Sequence, residues 1–251
     1  MTVRLQHKQP HKKPIKPPLR RKNPQQQKIQ DHFAHIQPEG SWEIPRKSFH
    51  YSIGFLVLYL YKHDFNSEDT YPALVAFLAL VLSTEVLRFS WDSFNVLYCK
   101  VMGSLMRKNE IHSRLNGTAY YLMGVLVALY FFPKDIASLS IVYLSWADPT
   151  ASICGRLWGQ YTFRYGKKSL AGTLGAMVIG TIVTYYFITE FLTESYDYTS
   201  SSIPLYAMSL YGGLVAGLSE ALGDSAGLDD NLVIPIVSSI LLWIPLVFLD
   251  L

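Results

Sequence analysis

Residues 170–192, LAGTLGAMVIGTIVTYYFITEFL, carry no charge before Glu190, and residues 232–249, LVIPIVSSILLWIPLVFL, carry none at all. About 20 consecutive apolar residues is the length an α-helix needs to cross the hydrocarbon core of a bilayer. The apolar residues come in blocks rather than at amphipathic spacing, which argues against a soluble helical protein with deeply buried helices. Half of the 251 residues are hydrophobic and 16% are charged, against about 25% charged in an average soluble domain.

Further apolar runs lie near 71–87, 117–133, 136–154 and 204–222, and with 170–192 and 232–250 they bring the expected spans to six. Phe49–Tyr61 is shorter than a usual span and reads as a tilted, thinned or interfacial first helix, making six or seven. The expected fold is an all-α, polytopic transmembrane helix bundle over residues 42–251, preceded by a disordered basic tail over residues 1–41. Lys12-Lys13, Arg20-Arg21-Lys22 and Pro10, Pro14, Pro17 and Pro18 give that tail its character, and no apolar core of a cleavable signal is visible in it. Its basic residues either attract anionic head groups or only set topology. Cys99 and Cys154 fall on or near the side assigned to the cytosol, where a structural disulfide is not expected.

The positive-inside rule places the tail in the cytosol. With spans alternating from Phe49 onward, 20 of the 22 lysines and arginines fall on that side, leaving only Lys62 and Lys134 opposite. The uneven split favours seven spans. It also gathers the unusual polar clusters on one face: Arg46-Lys47 with His50, Arg107-Lys108-Asn109-Glu110, Asn116-Gly117, the segment 148–173, and Glu220 through Asn231. A shared cytosolic site is therefore geometrically allowed.

Within 148–173, Asp148-Pro149 reads as a helix start, because Asp is a favoured N-cap and proline is tolerated at the first helical position. From Ile136 to Asp148 the chain rises only about 17 Å at 1.5 Å per residue. A broken helix would therefore open beside a carboxylate part-way through the membrane, an arrangement that lines polar cavities. Asp148 is then a ligand for a divalent cation, a base for a hydroxyl proton, or a simple cap. Gly155 and Gly159 allow close approach of the backbone to phosphate or to a neighbouring helix. Arg156 suits a bidentate phosphate contact.

Gly166-Lys167-Lys168-Ser169 resembles the end of a P-loop, but position 161 is Tyr rather than Gly and no strand pattern precedes it. What remains is a basic loop entering a helix at Ser169, with Lys167 and Lys168 as phosphate neutralisers and Gly172, Ala176 and Gly180 as a packing stripe. Asp229 and Asp230, with Glu220, Asp224 and Asn231, crowd oxygen ligands that suit Mg²⁺ or Ca²⁺. Glu85 and Arg88, three residues apart, read as a local ion pair.

Taken together, Glu43-Ile44-Pro45-Arg46-Lys47-Ser48-Phe49-His50, Arg107-Lys108-Asn109-Glu110-Ile111-His112, Asn116-Gly117, Trp146-Ala147-Asp148, Gly155-Arg156, Lys168-Ser169-Leu170-Ala171-Gly172 and Asp229-Asp230-Asn231 with Pro235 resemble the fungal CTP-dependent diacylglycerol kinases. The resemblance covers about residues 42–240. That family sits with dolichol kinases and phosphatidate cytidylyltransferases, which share use of CTP at the endoplasmic reticulum; the cytidylyltransferase signature, His-Gly-Gly followed by Asp-Arg, is absent from the acidic region.

The resemblance implies transfer of the γ-phosphate of CTP to diacylglycerol, giving phosphatidate and CDP. It implies a multi-pass protein of the endoplasmic reticulum membrane and nuclear envelope with a cytosolic site. Arg46, Lys47, Asp148 and Gly155 are the positions it marks as needed for activity. Arg107, Lys108, Arg156, Lys167, Lys168, Ser169 and Gly172 join Gly155 as the expected nucleotide contacts, and Asp148, Asp229 and Asp230 as the expected metal ligands. Membrane lipid and nucleotide are the expected partners and nucleic acid is not, while the oligomeric state stays open. A non-catalytic transporter or scaffold would leave the clustering of acids and bases on one face unexplained.

Overall fold

Ser169 accepts a hydrogen bond from the backbone N–H of Gly172 and so starts the helix that the uncharged run predicts, Leu170–Phe191. A computed structural model describes residues 33, 35–38, 41–63, 67–192, 203–223 and 228–248. The expected tail, residues 1–41, lies almost wholly outside these residues, as do Asp64, Glu194, Asp197 and Asp224. Over the described residues the chain forms α1 (Ile44–Lys62), α2 (Ser67–Ser90), α3 (Asp92–Met102), α4 (Gly117–Phe131), α5 (Lys134–Val142) and α6 (Asp148–Trp158). A two-stranded hairpin follows, β1 (Arg164–Tyr165) and β2 (Lys168–Ser169), and then α7 (Leu170–Phe191), α8 (Leu205–Gly223) and α9 (Asp230–Trp243).

The small-residue stripe on α7 is a packing surface, as its spacing predicts. A Cβ on Gly180 would stand 2.4 Å from the Cβ of Ala216 on α8, so the two helices lie as close as their backbones allow. α9 closes on α4 in the same way, with the backbone carbonyl of Asn231 2.6 Å from where a Gly124 Cβ would be. Hydroxyl pairs tie the interior across helices: Tyr121 to Ser145 at 2.9 Å, Tyr143 to Thr184 at 2.6 Å, and Ser239 to Ser140 at 2.9 Å. Cys99 and Cys154 are both free thiols.

The membrane expectation holds, but the count of six to seven spans is not confirmed. Among the described residues four helices are long and apolar enough to cross: Thr70–Ser90, Leu170–Phe191, Leu205–Gly223 and Asp230–Val247. α4 has only 15 residues. α5 and α6 are two short helices in one continuous helical run, and that run forms the middle of the core, where Val142, Tyr143 and Leu144 are fully buried. A polar interruption is tolerated at that depth because protein, not lipid, surrounds it.

The interruption differs from the expected helix break. Tyr143–Ala147 form a π turn that joins α5 to α6, and Asp148 keeps right-handed helical angles, φ −59° and ψ −54°. No free helix N-terminus opens at Asp148, and it is not an N-cap. The physical reason is that the wider turn absorbs Pro149. The Asp148 N–H donates to the Tyr143 carbonyl five residues back. The next such donor, at Pro149, does not exist, so the Leu144 carbonyl loses its backbone partner. Thr150 Oγ1 donates to the Trp146 carbonyl at 2.7 Å, which satisfies another acceptor of the turn.

α1 docks on this turn through Trp146, whose Nε1 donates to the Tyr51 carbonyl at 3.0 Å, and through Tyr51 and Thr150, whose hydroxyls lie 2.7 Å apart. Gly54 makes room for the indole, since a Cβ there would fall 2.1 Å from Trp146 Nε1. Gly54→Leu is expected to destabilise the protein by about 1–3 kcal/mol through overpacking, read as a lower melting temperature in detergent. A melting temperature equal to that of the unsubstituted protein would show that α1 is free to move away.

Candidate active site

The expected site segments converge on one cavity of about 940 Å³. Arg46 and Lys47 enter it from the first turns of α1, Arg107 and Glu110 from the loop after α3, and Asp148 from the first position of α6, where that helix meets the π turn. Arg156 comes from α6, Lys167 and Lys168 from the hairpin, Glu220 from α8, and Asp229 and Asp230 from the start of α9. Gly155, Ser169 and Gly172 line the same cavity. Lys108 is the one expected catalytic, nucleotide or metal residue that does not, and Asn116, Gly117 and Asn231 of the expected clusters line a neighbouring cavity instead. Lys108 is exposed on a 3₁₀ turn, Lys108–Glu110, whose tight winding turns Glu110 inward and Lys108 out.

Buried carboxylates hold the cations in place. Glu43 accepts from Arg107 Nε at 3.1 and 3.2 Å, and Glu110 lies 3.5 Å from Arg46 Nη1, with Glu43 at 4.0 Å. Burial raises the Glu110 carboxyl above the ordinary range, and the nearby charges of Arg46 and Arg107 pull the other way. Lys47 donates to the Trp42 carbonyl at 2.6 Å, and the Arg156 guanidinium stands 5.6 Å from the Trp42 ring centroid. Glu43 sits at φ 49°, a left-handed conformation unfavourable for a residue with a side chain. Strain of this kind concentrates at functional sites. Glu43 lies in the run Glu43–His50, but no periodicity or spacing signals its role. Gln160, Arg164, Tyr120 and Ser152 also line the cavity and had no such role either.

Across the cavity, Lys168 bridges two acids, with Nζ 2.9 Å from Glu220 Oε1 and 3.0 Å from Asp230 Oδ2. Burial alone would lower the Lys168 ammonium, but the carboxylates of Asp230 and Glu220 outweigh it and hold it well above the usual lysine range. Thr173 donates to Glu220 Oε2 at 3.1 Å. Gly223 leaves the space that Asp230 needs, as a Cβ there would fall 2.0 Å from its Oδ1. The expected basic loop is a hairpin: Tyr165 pairs with Lys168, and Gly166 takes φ 58° at the first turn position, as two-residue hairpin loops require.

Gly155 and Gly159 have a packing role, besides Gly155's place in the cavity wall. Cβ atoms on Gly155 and Gly159 would meet Ser169 Oγ at 3.1 and 2.8 Å, so α6 approaches the start of α7 closely there. The Ser169 hydroxyl is engaged as the cap of α7. Glu85 and Arg88 do form the ion pair, at 2.6 and 2.7 Å, and it is fully buried. Arg88 also donates to the carbonyls of Glu110, Ile111 and Arg114, so this pair shapes the loop that carries Arg107 and Glu110.

Asp229 caps α9 by accepting from the Asn231 N–H at 3.0 Å. Among the described residues no group of three or more His, Cys, Asp or Glu side chains is placed to hold a metal by itself. Mg²⁺ is usually held by one or two carboxylates together with substrate phosphates. Asp148 and Asp229, facing a cavity rich in cations, fit that mode rather than a cage built from protein alone.

No protein-family model matches the chain, and no solved structure matches it. Among curated proteins, the CTP-dependent diacylglycerol kinase 1 of Saccharomyces cerevisiae is 40% identical over 211 residues, 79% of this chain and 71% of that protein. The protein of the same name from Schizosaccharomyces pombe is 42% identical over 204 residues, 80% of this chain and 93% of that one. A chloroplastic farnesol kinase of Arabidopsis thaliana is more distant, 27% identical over 199 residues, 78% of this chain and 63% of the kinase. With 40–42% identity to these fungal proteins over about four fifths of its length, the chain belongs to the CTP-dependent diacylglycerol kinase family.

Proposed function

We propose that the protein transfers the γ-phosphate of CTP to diacylglycerol, giving phosphatidate and CDP. The observation that carries this reading is the single cavity in which Arg46, Lys47, Arg107, Arg156 and Lys167 face Asp148 and Asp229. Phosphoryl transfer needs little covalent help from a protein and depends on positioning and charge neutralisation. The cations bind and neutralise the triphosphate, and the carboxylates of Glu43 and Glu110 fix the directions of Arg107 and Arg46. Asp148 and Asp229 are the residues that would hold Mg²⁺ or Ca²⁺ with the phosphates. Such an ion supplies charge stabilisation and orientation at the transferring group. In the reaction a bond forms between the lipid hydroxyl oxygen and the γ-phosphorus as the O–H bond breaks, its proton being released to the water of the polar cavity. The bond from that phosphorus to the β,γ-bridging oxygen breaks, and CDP leaves.

The excess of lysine and arginine on one side supports a cytosolic site, and the resemblance to the fungal kinases is what suggests the endoplasmic reticulum membrane and nuclear envelope. Residues 42–251 form the catalytic domain in this reading, with residues 1–41 as a basic cytosolic tail.

The test incubates purified protein in lipid vesicles with CTP or ATP labelled at the γ-position and with diacylglycerol or farnesol as acceptor. Label is expected in phosphatidate from CTP, with little from ATP. Formation of a CDP-lipid, preferential labelling of farnesol, or no use of nucleotide would each overturn the reading.

A further inference from the structure

A second cavity, about 380 Å³ and almost wholly apolar, adjoins the polar one and shares Arg46 and His50 with it. It exists because α1 and α2, consecutive in the chain, diverge: α1 lies on α5 and the π turn, α2 on α4 and α3. Ile53, Leu56 and Val57 of α1 face Leu74 and Phe77 of α2 across the gap, with Val125 of α4 at its back. Leu56 and Phe77 are 53% and 48% exposed. The mouth therefore opens on the side where α2, with 11% of its spanning window buried, faces lipid. From His50 to Tyr61, which both line the cleft, α1 rises about 16 Å at 1.5 Å per residue. The cleft thus runs from the polar cavity into the depth of the hydrocarbon core.

His50 stands at the junction, and its state follows from the π turn. Pro149 leaves the Leu144 carbonyl without a backbone donor, and the His50 ring is hydrogen-bonded to the backbone of Leu144. Nδ1 of the same ring is buried and has no hydrogen-bond partner among the described residues. An imidazole that gives its proton to a carbonyl presents its second nitrogen as an acceptor. Arg46 Nη1, beside the same junction, also lacks a well-aligned hydrogen bond, although Glu110 is near it. Buried polar atoms without partners are rare in folded proteins and call for an explanation; a ligand hydroxyl and phosphate at this junction would satisfy both.

We propose that the apolar cleft between α1 and α2 is the acceptor-lipid site. The acyl chains of the glyceride lie along it, and the free hydroxyl donates a hydrogen bond to His50 Nδ1, which holds the oxygen at the opening of the phosphate cavity. The lipid enters sideways from the bilayer and never leaves it, while the nucleotide arrives from water on the polar side. The proposal rests on reading the polar cavity as the nucleotide site.

Photocrosslinking tests it without turnover. A diacylglycerol with a diazirine in one acyl chain is placed with the full-length protein in phosphatidylcholine vesicles, irradiated in the absence of CTP, and its adducts are mapped by mass spectrometry. Adducts are expected on the α1 and α2 residues of the cleft, competed by unlabelled diacylglycerol and reduced by Leu74→Trp, which fills the gap. Adducts confined to the outer faces of α7 and α8, or adducts that do not compete, would overturn the proposal.

A kinetic arm uses Leu74→Trp and Val57→Trp. Each is expected to raise KM for long-chain diacylglycerol about tenfold or more while leaving KM for CTP nearly unchanged. The loss should be smaller for a short-chain diacylglycerol, a difference that general misfolding would not produce. His50→Ala should keep the crosslink and lower kcat about tenfold or more; unaltered kcat would remove His50 from the proposal. If the unsubstituted protein makes no phosphatidate from CTP, the nucleotide reading fails, and the crosslink map still decides whether lipid occupies the cleft.

Discussion

Asp148→Asn is expected to lower kcat by about 10³-fold or more while the protein still inserts in membranes and melts at nearly the same temperature. The substitution keeps the size and shape of the side chain and removes only its charge. Asp148 is partly buried, lines the phosphate cavity, and its charge reaches Lys47, Arg107 and Lys168 from the start of α6. A carboxylate beside the buried middle of the bundle would be suited to holding a cation against transferring phosphate, because charge fixed in place beforehand costs no reorganisation. The measurement is phosphatidate formation from γ-labelled CTP in vesicles, alongside a thermal melt. An Asn variant within about tenfold of full activity would remove Asp148 from the centre of the mechanism.

Lys168→Met is expected to destabilise the fold by about 3 kcal/mol, the low end for breaking a buried pair, because the Asp230 side is partly solvated and screened. The side chains of Lys168 and Glu220 are 12% and 5% exposed, and Asp230 is 32% exposed. Removing the ammonium leaves two carboxylates facing each other across the junction of β2, α8 and α9. Adding Glu220→Gln to Lys168→Met should recover part of the loss, since one of the two uncompensated charges is then gone. Denaturant or thermal melts in detergent measure both. A single variant as stable as the unsubstituted protein would mean that Lys168 serves the nucleotide alone. The prediction matters for function because the expected phosphate contact at Lys168 is, in the structure, committed to two acids.

Much of this was legible in the chain. The run 170–192 becomes α7, and 232–249 becomes most of α9 and the turn beyond it, because an uncharged stretch of that length has no stable home outside a membrane core. The lining of the polar cavity was legible through sidedness: long cations collect at the ends of spans, so sorting lysines and arginines by side also sorted Arg46, Arg107, Arg156 and Lys168 into one place. The span count was less legible. α4 and the α5–α6 run are hydrophobic enough to resemble spans, yet one is short and the other is interrupted and enclosed by protein.

Other features depended on contacts distant in sequence. Asp148-Pro149 carries the pattern of a free helix start, and only the surrounding core joins it to α5 through a π turn, with Trp146 pinned under α1. The outward turn of Lys108 follows from the 3₁₀ winding that Arg88 helps to set from another helix. The strain at Glu43 persists because Arg107, 64 residues away, holds its carboxylate.

By itself the sequence determined the class of protein and the inventory of charge: apolar blocks of spanning length, and cations and acids placed where only a membrane surface would gather them. The tertiary structure decided the rest. It brought together groups from distant segments of chain in one cavity, engaged Lys168 and Ser169 in contacts within the protein, and left His50 with one buried nitrogen unpaired between a polar cavity and an apolar cleft. Composition acts locally and can be read residue by residue, whereas a partner for a buried donor or acceptor is supplied by whichever helix packs beside it.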